Sequence, residues 1–262
     1  MLTYYTVIGK NLDLIKSHLD NVYNYAGFWK VKEKEVLVVQ YHNESTSSVE
    51  DRITTYLENN VDRVVHQVEN KGSFIENLYD SWNLGYEHSK DGLVFRGGSD
   101  QVFSRDSFLH LHDLSQSVPN DVVLQANTIE NVEALDKIGC SSRHLIARLG
   151  NNFKDFDYRG FEDACDYLKQ RPQLFTWQQS FEKFGKPLAF QSSFGIINRE
   201  DGCSWLMKRS DWVKYGPLVP IKDGITGDVL IHDLMQRDGY KQLIMRDVIT
   251  YHFVRGESFD KY

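Results

Sequence analysis

The sequence predicts an α/β fold in which a mostly parallel sheet is flanked by helices within a single domain. Apolar segments typical of buried strands alternate with amphipathic segments of helical length along the first third of the chain, and glycines end several of the apolar segments. Strands and helices that alternate in this way form right-handed βαβ units around an open parallel sheet. The 262 residues, 41% of them hydrophobic, are enough for a substantial core.

Each element of this first third has its own signal. Short β-branched, apolar and aromatic runs predict strands at 4–9, 35–41, 61–70 and 92–98. Apolar residues at helical spacing predict helices at 11–26, 43–60 and 74–89, and the second of these helices begins with cap-type residues. Strand and helix therefore alternate without interruption up to residue 98.

The rest of the chain divides into two parts. Residues 128–190 predict a helix-rich insert with many aromatic side chains, which either form the core of a helical subdomain or line a binding cleft. Residues 191–262 predict a strand and a short helix within 203–220, a helix that ends near Gly239, and one or two short strands within 241–254. We find no repeat and no linker, which favours one domain.

Composition narrows the class of protein. The net charge of −7 argues against a protein whose whole surface binds a polyanion, although a local basic groove is compatible with it. The three cysteines are far apart and predict reduced thiols: Cys140, Cys165 and Cys203. The N-terminal segment turns polar too soon for a signal peptide, and no apolar run approaches the roughly 20 residues of a membrane span. These features predict a soluble cytoplasmic protein without an integral membrane segment.

The stretch FRGGSDQVF, residues 95–103, holds one carboxylate, Asp100, just after two glycines at the end of a predicted strand. Ligands of open parallel sheets bind beyond the carboxyl ends of the strands. Asp100 is therefore a candidate for a ligand site. The alternative is an aspartate that caps a turn.

Five segments of the chain follow one another in an informative order. They are a strand and its loop, an Asn-x-Gly turn and helix, the stretch around Asp100, a strand with a short helix, and a final helix and strand that end in Tyr-His: 36–53, 68–86, 92–103, 203–218 and 227–253. This order resembles that of the family 2 glycosyltransferases. The resemblance implies a Rossmann-like domain of GT-A type that transfers a sugar from a nucleotide-diphosphate sugar to a hydroxyl group.

The resemblance also implies a different role for each of three parts of the chain. Residues 1–127 would form the nucleotide-sugar-binding βαβ half, 128–190 a candidate acceptor region, and 191–262 the acceptor and catalytic part of the same domain. The acceptor would be a glycan or a modified nucleobase, and the latter would require extrusion of the base and a basic groove. The transfer would be inverting, and the sugar a hexose or a pentose.

Two residues match the family's metal ligands. Asp100 falls where the family has its Asp-x-Asp motif, and His252 matches a second ligand from the C-terminal segment. A divalent cation neutralises the charge of the leaving diphosphate, and an imidazole ligand favours Mn²⁺ over Mg²⁺. The alternative for His252 is a histidine that is hydrogen-bonded to the backbone.

The remaining site residues also follow from the resemblance. Asp228 aligns with the aspartate of the family's Glu-Asp pair and is the candidate general base on a glycine-flanked loop; Asp233 is the fallback base, and an N-terminal helix cap is the structural alternative for Asp228. Residues in loops after the strands are candidates for nucleotide binding, with the last of them a clamp on the diphosphate: Asn43, Asn70, Lys71 and Arg255.

Three positions depart from the family pattern. Gly98 and Gly227 stand where the family has acids, and His42 stands where the family has the aspartate that contacts the base. Fewer acids predict weaker metal binding. They leave open a second hypothesis, a non-catalytic module that binds nucleotide or glycan. A nucleotidyltransferase is a third hypothesis, but the segment TVIGKN is a poor version of the glycine-rich basic loop that such an enzyme needs.

Overall fold

The computed structural model describes residues 1–41, 47–68, 74–116, 120–131, 146–147, 149–170, 204–219 and 227–253. Within these residues nine strands form one sheet: β1 (Leu2–Ile8), β2 (Lys34–Tyr41), β3 (Arg63–Gln67), β4 (Leu93–Gly98), β5 (Gln101–Phe103), β6 (Val122–Asn131), β7 (Ile146–Ala147), β8 (Trp205–Lys208) and β9 (Lys241–His252). The described α-helices are α1 (Leu12–Asp20), α2 (Ser47–Asn60), α3 (Phe74–His88), α4 (Ser107–Ser115), α5 (Tyr158–Lys169), α6 (Arg209–Tyr215) and α7 (Gly227–Arg237).

The first four strands form the parallel half of the sheet, in the order β3-β2-β1-β4. β1 and β2 have helices against both faces, so their apolar residues are continuous: successive side chains such as Tyr4 and Tyr5 are both completely buried. The predicted α/β fold with a mostly parallel sheet is confirmed. The four strands and three helices predicted here all occur, with shifted ends.

The second half of the sheet is mixed and continues the order as β8-β6-β9-β5. β8 is antiparallel to both β4 and β6, whereas β9 is parallel to β6. β9 therefore runs in the same direction as β4. The three-residue strand β5 pairs antiparallel with the end of β9, which sets Gln101 opposite His252.

Helices cover both faces of the sheet. On one face α1, α2 and α4 bury Ile15, Ile53 and Phe108 against the strands. On the other face α3, α6 and α7 contribute Tyr86, Trp212 and other large side chains to a second apolar cluster. Among the described helices none has both the length and the apolar character needed to cross a membrane.

The described part of the insert supports the packing alternative for its aromatic residues. Phe156 and Phe161 are buried in a third apolar cluster with Tyr251 of β9. Cys165 of α5 lies in the same cluster as a free thiol, and burial raises its pKa to about 12. The aromatic residues beyond position 170 in the insert, together with Cys140 and Cys203, lie outside the described residues. The domain boundary proposed after residue 127 falls within β6.

Other differences from the predicted elements lie around the turns. The first helix ends at Asp20 and continues as a π-helical turn (Asn21–Tyr25), in which the side chain of Asn21 hydrogen-bonds both the N–H and the C=O of Phe103. No element was predicted between residues 101 and 127, where β5, α4 and the start of β6 occur. The C-terminal segment forms one long strand, β9, where one or two short strands were predicted.

Candidate functional site

Asp100 lies in a tight turn between β4 and β5, at the carboxyl end of β4. Its residue is 5% exposed, and its backbone carbonyl accepts a hydrogen bond of 2.9 Å from the backbone N–H of Phe253. The turn is thus fastened directly to the chain that follows β9. A carboxylate in this turn lies where ligands of parallel sheets bind.

Asp100 and His252 meet although 152 positions separate them in the chain. Oδ2 of Asp100 and Nε2 of His252 are 3.3 Å apart, and the two side chains are 8% and 19% exposed. The pairing of β5 with β9 brings them together. Asp100 and His252 thus form a polar pair with limited access to solvent.

The Asp100–His252 pair fits a divalent cation in two respects. Carboxylate oxygen and imidazole nitrogen are both ligands of Mn²⁺. Two adjacent ligands of an octahedral ion at roughly 2.1 Å are about 3 Å apart, close to the separation found here. Among the described residues, however, no group of three or more His, Cys, Asp or Glu side chains converges as a metal site. An ion at this pair would need further ligands from a bound substrate, from water, or from residues beyond those described.

Gly98 shapes the turn at the position where the family has an acid. A Cβ atom built at Gly98 would lie 2.6 Å from Oδ1 of Asp100, which no side chain tolerates without a shift. The Asp100 carboxylate lies over Gly98, and a side chain at position 98 would require the carboxylate to shift. Glycine at position 98, where the family has an acid, therefore permits the present orientation of the Asp100 carboxylate.

Gln101 braces the same turn from inside. Its side-chain Oε1 accepts hydrogen bonds from the backbone N–H of Gly98 at 2.9 Å and from the Ser204 hydroxyl at 2.7 Å. The residue is completely buried. The role of Gln101 could not be predicted from the sequence, because its partner Ser204 is 103 positions away.

His18 of α1 also contacts this turn. Its Nδ1 is 3.1 Å from the backbone carbonyl oxygen of Gln101, and its Nε2 is 2.7 Å from the hydroxyl of Tyr4. Burial lowers the pKa of His18 to about 4, although the hydrogen bond to Gln101 and the nearby Asp100 carboxylate oppose that shift. His18 was not predicted as a site residue. Its signal, a histidine among the apolar positions of a helix, is also that of an ordinary core residue.

Arg96 is a second buried residue near this turn that was not predicted. It is completely buried in β4, with its guanidinium carbon 4.1 Å from the centre of the Trp82 ring and 4.7 Å from that of Trp205. A buried cation between two indoles gains a favourable interaction with both ring faces. A lone arginine inside the apolar run LVFRGG was the available signal, since arginine is rarely buried without partners.

The predicted base lies at the start of a helix. We expected Asp228 on a glycine-flanked loop, but α7 begins at Gly227, so Asp228 belongs to its first turn and the loop placement was wrong. Val229 to Ile231 continue the same helix, which ends at Arg237. Asp233 lies in the same helix. The candidate nucleotide-binding residues all lie outside the described residues: Asn43, Asn70, Lys71 and Arg255.

Comparison with known proteins gives a likeness in structure and none in sequence. No family model matches the chain, and no curated protein matches its sequence. A mannosyltransferase from Pyrobaculum calidifontis, PcManGT, solved with GDP-Man and Mn²⁺, matches 98% of this chain and 58% of its own at 15% identity and a TM-score of 0.56.

Two further solved structures are similar in the same way. GalNAc-T7, solved with UDP, GalNAc and Mn²⁺, matches 99% of this chain and 45% of its own at 10% identity and a TM-score of 0.60. TarS from S. aureus, solved with UDP-GlcNAc, matches 100% of this chain and 61% of its own at 10% identity and a TM-score of 0.54. The chain thus spans about half of the length of these proteins. The likeness shows that this chain has the GT-A fold of nucleotide-sugar glycosyltransferases.

Proposed function

We propose that the protein is a metal-dependent glycosyltransferase, similar to family 2, that moves one sugar from a nucleotide-diphosphate sugar to a hydroxyl acceptor. One observation carries the proposal. In a GT-A fold, Asp100 and His252 converge to 3.3 Å at the carboxyl edge of the sheet from opposite parts of the chain. The carboxylate and the imidazole that meet at this edge are two kinds of ligand that a Mn²⁺ site uses.

Asp100 and His252 are the proposed ligands of a divalent cation, Mn²⁺ in preference to Mg²⁺. The cation supplies positive charge that stabilises the diphosphate as it leaves the sugar. The two residues would contribute a carboxylate oxygen and an imidazole nitrogen to such an ion, and its further ligands would come from the donor or from water. The low exposure of both side chains strengthens their electrostatic interaction with charged ligands.

Asp228 is the proposed general base. Its carboxylate takes the proton of the acceptor hydroxyl while the acceptor oxygen attacks the anomeric carbon from the side opposite the diphosphate. A new carbon–oxygen bond forms, the bond from the anomeric carbon to the phosphate oxygen breaks, and the configuration inverts.

The direction of the strands supports the proposed donor contacts. Because β2, β3, β4 and β9 run in the same direction, they all end at the edge where Asp100 lies. In sequence, Asn43 follows β2, Asn70 and Lys71 follow β3, and Arg255 follows β9. We infer contacts to the base and ribose from the first three residues and to the diphosphate from Arg255.

The solved relatives guide the choice of substrates. Their structures hold GDP-Man, UDP or UDP-GlcNAc. We therefore propose a hexose donated from a uridine or guanosine diphosphate, with a pentose as the variant to be tested. A glycan hydroxyl and the hydroxyl of a modified nucleobase are the two acceptor classes, and the cytoplasm remains the predicted location.

The test is donor turnover by the purified chain with a panel of nucleotide sugars and Mn²⁺. We expect slow hydrolysis of one donor, lost in Asp100→Asn and Asp228→Asn. Asp113→Asn is the matched control, because Asp113 is an exposed carboxylate on α4. Turnover that is equal in all four proteins would contradict the proposal.

The second candidate function is a module that binds nucleotide or glycan without turnover. It is favoured by the glycines at positions 98 and 227, where the family has acids, and by the absence of a three-residue metal group among the described residues. Tight nucleotide binding without turnover of any donor would select it.

A further inference from the structure

A chain of two buried hydrogen bonds runs beneath the turn that carries Asp100. It begins at the Tyr4 hydroxyl on β1, passes through the His18 ring on α1, and ends at the carbonyl oxygen of Gln101. All three residues are completely buried. Three elements distant in sequence thus contribute to one connected unit.

The chemistry of the partners determines which ring nitrogen of His18 carries the proton. A carbonyl oxygen only accepts hydrogen bonds, so Nδ1 of His18 donates to Gln101. Nε2 of the neutral ring then accepts from the Tyr4 hydroxyl. The ring stays neutral at physiological pH because burial lowers its pKa to about 4. One tautomer therefore satisfies every group in the unit.

The His18 ring also contacts the residues beside His252. It packs against Phe153 with ring centres 6.2 Å apart, and Phe153 packs against Phe253 at 5.1 Å. Phe253 directly follows His252 and donates its backbone N–H to the Asp100 carbonyl. His18 is thereby connected to both members of the Asp100–His252 pair, through Gln101 on one side and through two phenyl rings on the other.

We propose that His18 is a positioning residue of the candidate cation site, in which its Nδ1–H fixes the Gln101 carbonyl and so holds the Asp100 carboxylate toward His252. The inference rests on the proposed function. It concerns orientation alone, because both ring nitrogens of His18 have other partners, the Gln101 carbonyl and the Tyr4 hydroxyl. Groups that orient metal ligands change metal affinity by roughly 10- to 100-fold when they are removed.

The test is the affinity for Mn²⁺ alone, measured by electron paramagnetic resonance of the free ion. His18→Leu removes the donor, and we expect Mn²⁺ to bind about 10-fold more weakly. His18→Asn keeps an N–H near the position of Nδ1, and we expect its affinity to stay within about threefold of wild type because the hydrogen bond to Gln101 remains. This rescue by a donor would not occur if His18 only filled space.

A tyrosine pair provides the control for folding. Tyr4→Phe removes the partner of Nε2, and we expect Mn²⁺ affinity to fall about threefold, the equivalent of a modest hydrogen bond. Tyr5→Phe is the matched change on the same strand, where the hydroxyl bonds the carbonyl of Trp82 on the other face of the sheet, and it should leave Mn²⁺ affinity unchanged. Thermal unfolding of each variant reports its stability separately.

Two results would overturn the inference without touching the proposed function. One is a folded His18→Leu protein that binds Mn²⁺ like wild type. The other, decisive if His18→Leu does not fold, is an equal effect of Tyr4→Phe and Tyr5→Phe. A wild-type chain that binds no Mn²⁺ would overturn both the inference and the metal dependence of the proposed reaction.

Discussion

Two histidines from distant parts of the chain flank the turn between β4 and β5, and they differ in what surrounds them. His18 is completely buried, and its two nitrogens face a carbonyl and a hydroxyl. The His252 side chain is 19% exposed, and its Nε2 faces the Asp100 carboxylate. The comparison teaches that the partner of a ring nitrogen, more than its distance from the site, separates a histidine that braces from one that can bind a cation.

The difference has an electrostatic basis. A carbonyl and a hydroxyl together satisfy a neutral imidazole and give it no anionic neighbour in direct contact. A carboxylate oxygen and an imidazole nitrogen in contact offer two electron-pair donors, which a metal ion can bind. The following predictions test this assignment of roles.

The largest effect on Mn²⁺ affinity should come from substitution of the two proposed ligands. Asp100→Asn and His252→Gln each remove a proposed ligand, and we expect Mn²⁺ affinity to fall on the order of 100-fold or more, equivalent to about 3 kcal/mol. Electron paramagnetic resonance of the free ion measures it. His112→Gln is the control, because His112 lies on α4 and pairs only with Asp113 among the described ion pairs. A 100-fold loss in the control as well would show that these changes act through the fold.

His18, on the buried side of the turn, should determine part of the stability that the protein loses at low pH. The folded-state pKa of His18, about 4, is below its ordinary value of 6.5. The unfolded chain therefore binds the extra proton first, so stability is complete above pH 6.5, falls as the pH is lowered, and levels off below about 4.

Urea unfolding at pH 6.5 and pH 5 measures this effect. At about 1.4 kcal/mol per pH unit, His18 should account for about 2 kcal/mol of the stability lost between these two pH values. In His18→Asn that share of the loss should disappear while the contribution of other groups remains. Equal pH dependence of the two proteins would contradict the burial of a neutral ring.

A smaller effect should come from the glycine beneath the carboxylate. Gly98→Ala places a methyl group 2.6 Å from Oδ1 of Asp100, so the carboxylate has to turn away from its present position. We expect about a 10-fold weaker affinity for Mn²⁺, the size typical of a displaced ligand. Ser99→Ala, in the same turn, is the control, and an unchanged affinity in Gly98→Ala would show that Asp100 has other productive orientations.

The smallest effect should come from the brace on Gln101. Ser204→Ala removes one hydrogen bond to its Oε1 and should lower the free energy of unfolding by about 1 kcal/mol, with less than a threefold change in Mn²⁺ affinity. Ser89→Ala is the matched control, since it removes a buried serine bond to the Gly85 carbonyl far from the turn. A change in Mn²⁺ affinity as large as that of Asp100→Asn would show that Ser204 belongs to the ligand set.

The parallel half of the fold could be predicted because a strand that is buried on both faces is apolar at nearly every position. EVLVVQY is continuous in apolar residues for that reason, and β2 indeed covers Lys34–Tyr41. The mixed half of the sheet has a weaker sequence signal. β5 has three residues and owes its existence to the ladder with β9, a partner far away in sequence.

The site shows the same division. Asp100 and His252 could be proposed because their residue types and order resemble a known pattern, and the structure brings them together. The catalytic role of Asp228 and the nucleotide contacts remain predictions. Gln101 and His18 could not be assigned, because their meaning depends on hydrogen bonds to Ser204 and to a backbone carbonyl across 103 and 83 positions of sequence. Such bonds follow from the tertiary fold and leave no local pattern.

The pairing of β5 with the far end of β9 has a consequence for synthesis on the ribosome. Residue 100 is translated long before residue 252, so the nascent polypeptide holds one half of the pair without the other while 152 further residues are added. Contacts of such long range form late in folding, after the local helices and hairpins. The parallel strands can assemble first, and the Asp100–His252 pair forms only after β9 has joined the sheet and paired with β5.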